Sequence, residues 1–78
     1  MNEESNKAEL LIRLGSHIAK VRTEKGLSGA ELARRCFLDR QAIDRIERGK
    51  TNPTFLTLMK IAEALEVSLE ELVFGSGF

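Results

Sequence analysis

Apolar residues recur along this chain at spacings of three and four, and alternation with a period of two is absent. Leu11, Leu14, Ile18 and Val21 make one such stripe, which predicts a first helix with a single buried face. Gly26 should end it as the left-handed C′ residue, with Lys25 in the last turn. Ser28 and Glu31 stand three apart, the spacing of a capping box, and open a second helix that runs to about Arg35 with Leu32 and Ala33 inward. Asp39 is the next good N-cap. It starts a third helix with Ile43 and Ile46 on one face, stopping near Arg48 because Gly49 and a turn-forming "KTNPT" follow. Thr54 caps a fourth helix with the stripe Leu58, Ile61, Ala62 and Leu65. "SLEE" reads as a second capping box, opening a short fifth helix with Leu69, Leu72 and Val73 inward. The expected fold class is all-α: five short helices around one core. Residues 1–8 are expected to be a flexible leader, 9–74 the domain and 75–78 a flexible tail.

Composition narrows the class of protein. A chain of 78 residues has room for one core, and its 42% apolar and 31% charged content is that of a globular protein. A single cysteine excludes an internal disulfide. No apolar run reaches the roughly 20 residues of a membrane span, and the polar, acidic start is unlike a signal peptide. We therefore expect a cytoplasmic protein, with no membrane association. His17 and Cys36 lack the company a metal site or a catalytic triad needs, so His17 is read as a rim residue and Cys36 as a small core residue. Adjacent acids such as Glu70 and Glu71 splay apart on a helix and cannot work as an acid–base pair. Neither an enzyme nor a cofactor is expected.

Charge changes the picture further. The net charge is zero, yet residues 34–50 hold six bases against three acids, and residues 51–78 hold one base against four acids. A binding face depends on local charge, so the central segment is the candidate contact surface. Its two short helices and three-residue turn make a helix-turn-helix unit, and a major groove about 12 Å wide admits one helix. With Ile43 and Ile46 inward, the opposite face shows Arg40, Gln41, Asp44, Arg45 and Arg48. Arginine can make a bidentate contact with guanine, glutamine with adenine, and aspartate can accept from cytosine. Arg48, Lys50, Thr51 and Asn52 suit phosphates. Periodicity and charge by themselves also fit a solvated amphipathic helix that binds nothing.

Three segments carry a resemblance: "IAKVRTEKGLSGAELA", "AIDRIERGKTNP" and "LMKIAEALEVSLEEL". From about Leu11 to Leu72 the chain resembles the lambdoid-phage repressor and Cro type of helix-turn-helix domain, the XRE-like regulators of bacteria. The resemblance implies a compact lambda-repressor-like domain that binds double-stranded DNA. It makes the third helix the reading helix, with Arg40, Gln41 and Arg45 facing bases and Asp44 beside them. It places phosphate contacts at Arg48, Lys50, Thr51 and Asn52, and at the start of the second helix, Ser28 and Gly29. It implies an ion pair between Arg22 and Glu47 that steadies the reading helix. Members usually bind near-palindromic operators as homodimers, often as repressors. The implied setting is the nucleoid, with a protein partner such as a toxin or RNA polymerase.

Three residues depart from the family pattern, Asp44 among them because on the reading face it repels phosphate. Gly29 stands where many members carry a phosphate-binding glutamine. Phe37 stands in the turn where glycine is common. If that turn is left-handed, a bulky side chain there costs about 1–2 kcal/mol. Either the turn is reshaped, or burial of the ring offsets the strain. Phe74 and Phe78, with Val73, are candidates for the core, the tail or a two-fold contact, and Phe55 for the core or that same contact. A helical protein-interaction module that has lost DNA binding is the competing reading.

Overall fold

The computed structural model describes residues 3–75 and consists there of five helices with no strand. They are α1 (Glu3–Glu24), α2 (Gly29–Arg35), α3 (Arg40–Glu47), α4 (Phe55–Leu65) and α5 (Leu69–Phe74). Helix α1 therefore starts six residues before the expected domain boundary at residue 9, so the stretch expected as a leader is helical from Glu3. Phe78 and most of the expected tail lie outside the described residues.

Local signals explain where the helices begin. Ser28, Asp39, Thr54 and Ser68 all have extended backbones, and each side-chain oxygen accepts from the amide three residues on. That satisfies one otherwise orphaned donor per helix and is worth about 1 kcal/mol each. At Ser28 the box is complete, because Glu31 Oε1 accepts in return from the Ser28 amide at 3.0 Å. At Ser68 only the hydroxyl half forms: the serine accepts from the Glu71 amide, and Glu71 does not reach back. The expected second capping box is thus half of one.

The ends of the first four helices share one device. After α1 the amide of Leu27 donates to Arg22 and that of Gly26 to Thr23, the paired reverse bonds of a Schellman turn. The same pair recurs after α2 at Leu38 and Phe37, after α3 at Lys50 and Gly49, and after α4 at Val67 and Glu66. Each turn needs one left-handed residue. Gly26 (φ 76°) and Gly49 (φ 71°) supply it without a Cβ penalty, whereas Phe37 and Glu66 supply it at φ 58°. Leu27, Leu38 and Val67, which follow three of these turns, then fold back against the core.

One core lies inside the five helices. It is built from Leu14, Ile18 and Val21 of α1, Leu32 and Ala33 of α2, Ile43 and Ile46 of α3, Ile61, Ala62 and Leu65 of α4, and Leu72 of α5. Cys36, at the end of α2, is buried with them, and burial pushes its thiol pKa up while the charge of Lys60 partly opposes the shift. Leu11 and Leu69 are only half-buried, and Leu58 and Val73 pack on the core's margin. The tightest crossing is that of α1 over the end of α3. A Cβ on Gly15 would run into the Ile46 carbonyl oxygen and stand 2.6 Å from that of Glu47. A Cβ on Gly49 would meet the backbone of Ile12 at 2.7 Å. The first helix thus rests directly on the backbone that ends the third.

Candidate nucleic-acid interface

Helix α3 is held to the core by two isoleucines, Ile43 and Ile46, each almost fully buried. Burying an aliphatic side chain of this size contributes about 1.5–3 kcal/mol, enough to orient a helix of two turns. With that stripe inward, Arg40, Gln41, Asp44, Arg45 and Arg48 are all exposed. The face is basic, but two of its charges are already engaged. Arg48 Nε donates to Asp44 Oδ1 at 3.2 Å, a pair one helical turn apart with both side chains more than half exposed. Such exposed pairs are worth a few tenths of a kcal/mol. A phosphate or a base edge can therefore separate them, and until it does the aspartate is screened by its own neighbour.

The start and end of α3 are fixed differently. Asp39 caps the start through the Ala42 amide at 2.7 Å. The end is anchored through Glu47. Arg22 Nε donates to Glu47 Oε2 at 2.7 Å and a second guanidinium nitrogen donates to Oε1 at 3.1 Å, a fork-on-fork geometry. The third Arg22 bond goes to the Leu27 carbonyl at 2.8 Å. One side chain of α1 thereby ties down both the turn before α2 and the last turn of α3. The Glu47 hydrogen bond raises the guanidinium pKa further, against desolvation. Both side chains are largely withdrawn from water, at 17% and 12% exposure, so each depends on the other.

Recesses flank α3 on both sides. On one side Ser28 and Gly29 at the start of α2 face Arg40 and Asp44 across a cavity of about 230 Å³. Ser28 there is committed to Glu31 on both its amide and its hydroxyl, and this bonding holds the Glu31 carboxyl below the ordinary carboxylate range. Nothing lies within 4 Å of a Cβ built on Gly29, so packing does not demand glycine and the approach to that backbone is open. On the other side Arg45 shares a cavity of about 210 Å³ with Thr51, Asn52, Pro53 and Thr54. Lys50 is exposed at the turn between them. The residues singled out in the sequence are thus gathered along one helix and its two shoulders.

A profile of the HTH_3 helix-turn-helix family matches residues 18–72. The chain belongs to that family. Among its relatives is an uncharacterised helix-turn-helix transcriptional regulator, y4dJ, from Sinorhizobium fredii, 45% identical over 77% of this chain and 78% of that protein. The control protein C.MunI from a Mycoplasma species is 38% identical over 82% of this chain and 88% of its own length. The crystal structure of the restriction–modification controller protein C.AhdI from Aeromonas hydrophila superposes with a TM-score of 0.78 at 37% identity, covering 80% of this chain and 94% of that one. This chain is a transcriptional regulator of the DNA-binding helix-turn-helix class, and such regulators are not enzymes. Among the described residues no helix is long and apolar enough to cross a membrane.

Sequence reasoning missed three things here. Gly15 lies on the same face as Leu14 and Ile18, and a glycine on a buried helical stripe was the available sign of a close crossing. The Arg22 bond to Leu27 had no sequence signal, because a backbone carbonyl has no identity in a sequence. Phe37 answers neither alternative. The turn keeps its left-handed form, and the ring is 89% exposed, so no burial offsets the strain. His17, the sole histidine, is half-buried and lies 3.1 Å through Nε2 from the Glu71 carbonyl, linking α1 to α5.

Proposed function

We propose that this protein is a sequence-specific DNA-binding regulator, acting chiefly as a repressor, that binds a near-palindromic operator as a homodimer through α3. The observation that carries the reading is the α3 face itself: five exposed polar residues on a helix whose opposite stripe is buried and whose end is anchored by Arg22. Arg40, Gln41 and Arg45 read bases, with Asp44 available to a cytosine amine once Arg48 leaves it. Arg48, Lys50, Thr51 and Asn52 hold phosphates on one shoulder, and the Gly29 amide does so on the other, since Ser28 is taken up by Glu31. The neighbour C.AhdI, a restriction–modification controller, supports that role over a phage repressor or an antitoxin. Two-fold use of α3 needs half-sites about 34 Å apart, one per subunit. Phe55, Leu56 and Phe74, each more than 60% exposed, supply an apolar contact for the two-fold. The protein acts in the cytoplasm on the nucleoid.

Selection from random duplexes, followed by binding measured across a salt series, tests the proposal. A palindromic site should be enriched, with log K falling by about 0.9 per log salt for each phosphate engaged. Arg40→Ala and Arg45→Ala should relax preference at particular base pairs by about 1–3 kcal/mol, while Lys50→Ala weakens all sequences alike. If nothing is enriched and Arg40→Ala leaves affinity unchanged, the domain is a helical protein-interaction module instead.

A further inference from the structure

The DNA-reading surface leaves Phe37 unused. It is the most exposed large apolar residue among those described, and it occupies a left-handed position that glycine fills in two of the equivalent turns. Backbone strain without compensating burial points to a role outside folding. The ring does not stand alone. It lines a cavity of about 310 Å³ with Arg35, Lys60, Glu63 and Ala64, where the end of α2 faces the second half of α4. Arg34, in the same last turn of α2, is also exposed. Among the described residues none of these three cations is in an ion pair. Glu63 is the single carboxylate on the lining, so positive charge prevails there.

This recess shares no residue with the two that flank α3. The start of α4 adjoins α3, through Thr54 and Thr57 beside Arg45, whereas Lys60, Glu63 and Ala64 lie farther along α4. The recess is therefore off the reading face and can be filled while the reading face is engaged. We infer that the Phe37 recess is a docking site for an acidic segment of another protein that presents an apolar side chain. Ala64 and the Phe37 ring take the apolar group, and Arg35 and Lys60 on the lining take the flanking carboxylates. Charge complementarity selects the partner, and the exposed ring gives it a rigid aromatic anchor.

The test titrates the isotope-labelled full chain with a synthetic peptide carrying glutamates and leucines at helical spacing, followed by amide NMR. Saturable shifts confined to residues 34–38 and 60–64, weakened by salt, are the expected result. Phe37→Gly and Lys60→Glu should each weaken binding about tenfold or more. The peptide with lysine for glutamate, and the one with serine for leucine, should not bind. Shifts centred on residues 40–52, equal binding of the serine peptide, undiminished binding by Phe37→Gly, or no saturation at all would each overturn the inference. So would a loss of duplex-DNA affinity in Phe37→Gly, since it would make the ring a DNA contact.

Discussion

Adding one methyl group at Gly15 should harm this protein, although the same change in an ordinary helix helps it. Gly15 lies mid-way along α1, where alanine is favoured over glycine by about 1 kcal/mol. Against this stands the crossing. The new Cβ would enter the Ile46 carbonyl oxygen and approach the Glu47 carbonyl oxygen and carbon to 2.6 and 2.8 Å. Opening even the 2.6 Å contact to the 3.4 Å of ordinary van der Waals packing displaces α3 from α1 by at least about 0.8 Å, and the tighter Ile46 contact demands more. The obstacles are backbone atoms at the end of a helix, so no rotamer change can relieve them. Overpacking of this kind costs about 1–3 kcal/mol, and with rigid obstacles the upper end applies, leaving a net loss of about 2 kcal/mol. In a domain of this size that lowers Tm by roughly 10 °C. Gly29→Ala is the control. It has open space around it and starts α2, so it should leave Tm unchanged or raise it by a few degrees. Thermal unfolding followed by far-UV circular dichroism measures both. A Gly15→Ala protein as stable as the parent would refute the close crossing. Its DNA affinity should fall at temperatures where it is fully folded, because α3 itself has moved.

Phe37→Gly should stabilise the fold by about 0.5–1 kcal/mol, since relief of left-handed strain exceeds the entropy that glycine adds to the unfolded chain. Glu66→Gly, at the other strained turn, should do the same, and a loss of stability in urea unfolding would refute the account. Arg22→Met should destabilise by about 2–3 kcal/mol, somewhat below a fully buried pair because both partners keep some solvent contact. In a double-mutant cycle with Glu47→Met the two losses should fall well short of adding, and additive losses would show that the pair is not coupled. The Glu31 carboxyl should titrate below the ordinary carboxylate range, because the Ser28 amide and hydroxyl favour its charged form. Since its folded pKa is the lower one, its contribution is complete above the unfolded value and is lost as pH falls through the folded value. An NMR titration with a midpoint at or above the ordinary carboxylate value would falsify this.

Much of this molecule is written locally. Ser28, Asp39, Thr54 and Ser68 start helices because each side chain bonds an amide three residues away, and such signals need no tertiary context. The stripes of α1 and α4, and the outward set on α3, follow from the helical period in the same way. Elsewhere the local reading fell short. "SLEE" has the composition of a capping box, but the Glu71 side chain does not close it, and Leu69 stays at the rim. Periodicity cannot say how deep a side chain will sit, since depth depends on what covers it.

Tertiary structure alone decided the close approaches and the shared surfaces. The room denied at Gly15 belongs to carbonyls more than thirty residues away, and the third bond of Arg22 goes to a backbone atom that carries no letter. Phe37 shows the division best. Its place in a turn after α2 is evident from the chain, while its left-handed backbone and bare ring are set by Leu38 folding back onto the core and by what α4 leaves uncovered. Bonds between near neighbours are fixed by spacing along the chain. Contacts between helices are fixed by distances in space, and a one-dimensional pattern contains spacing without distance.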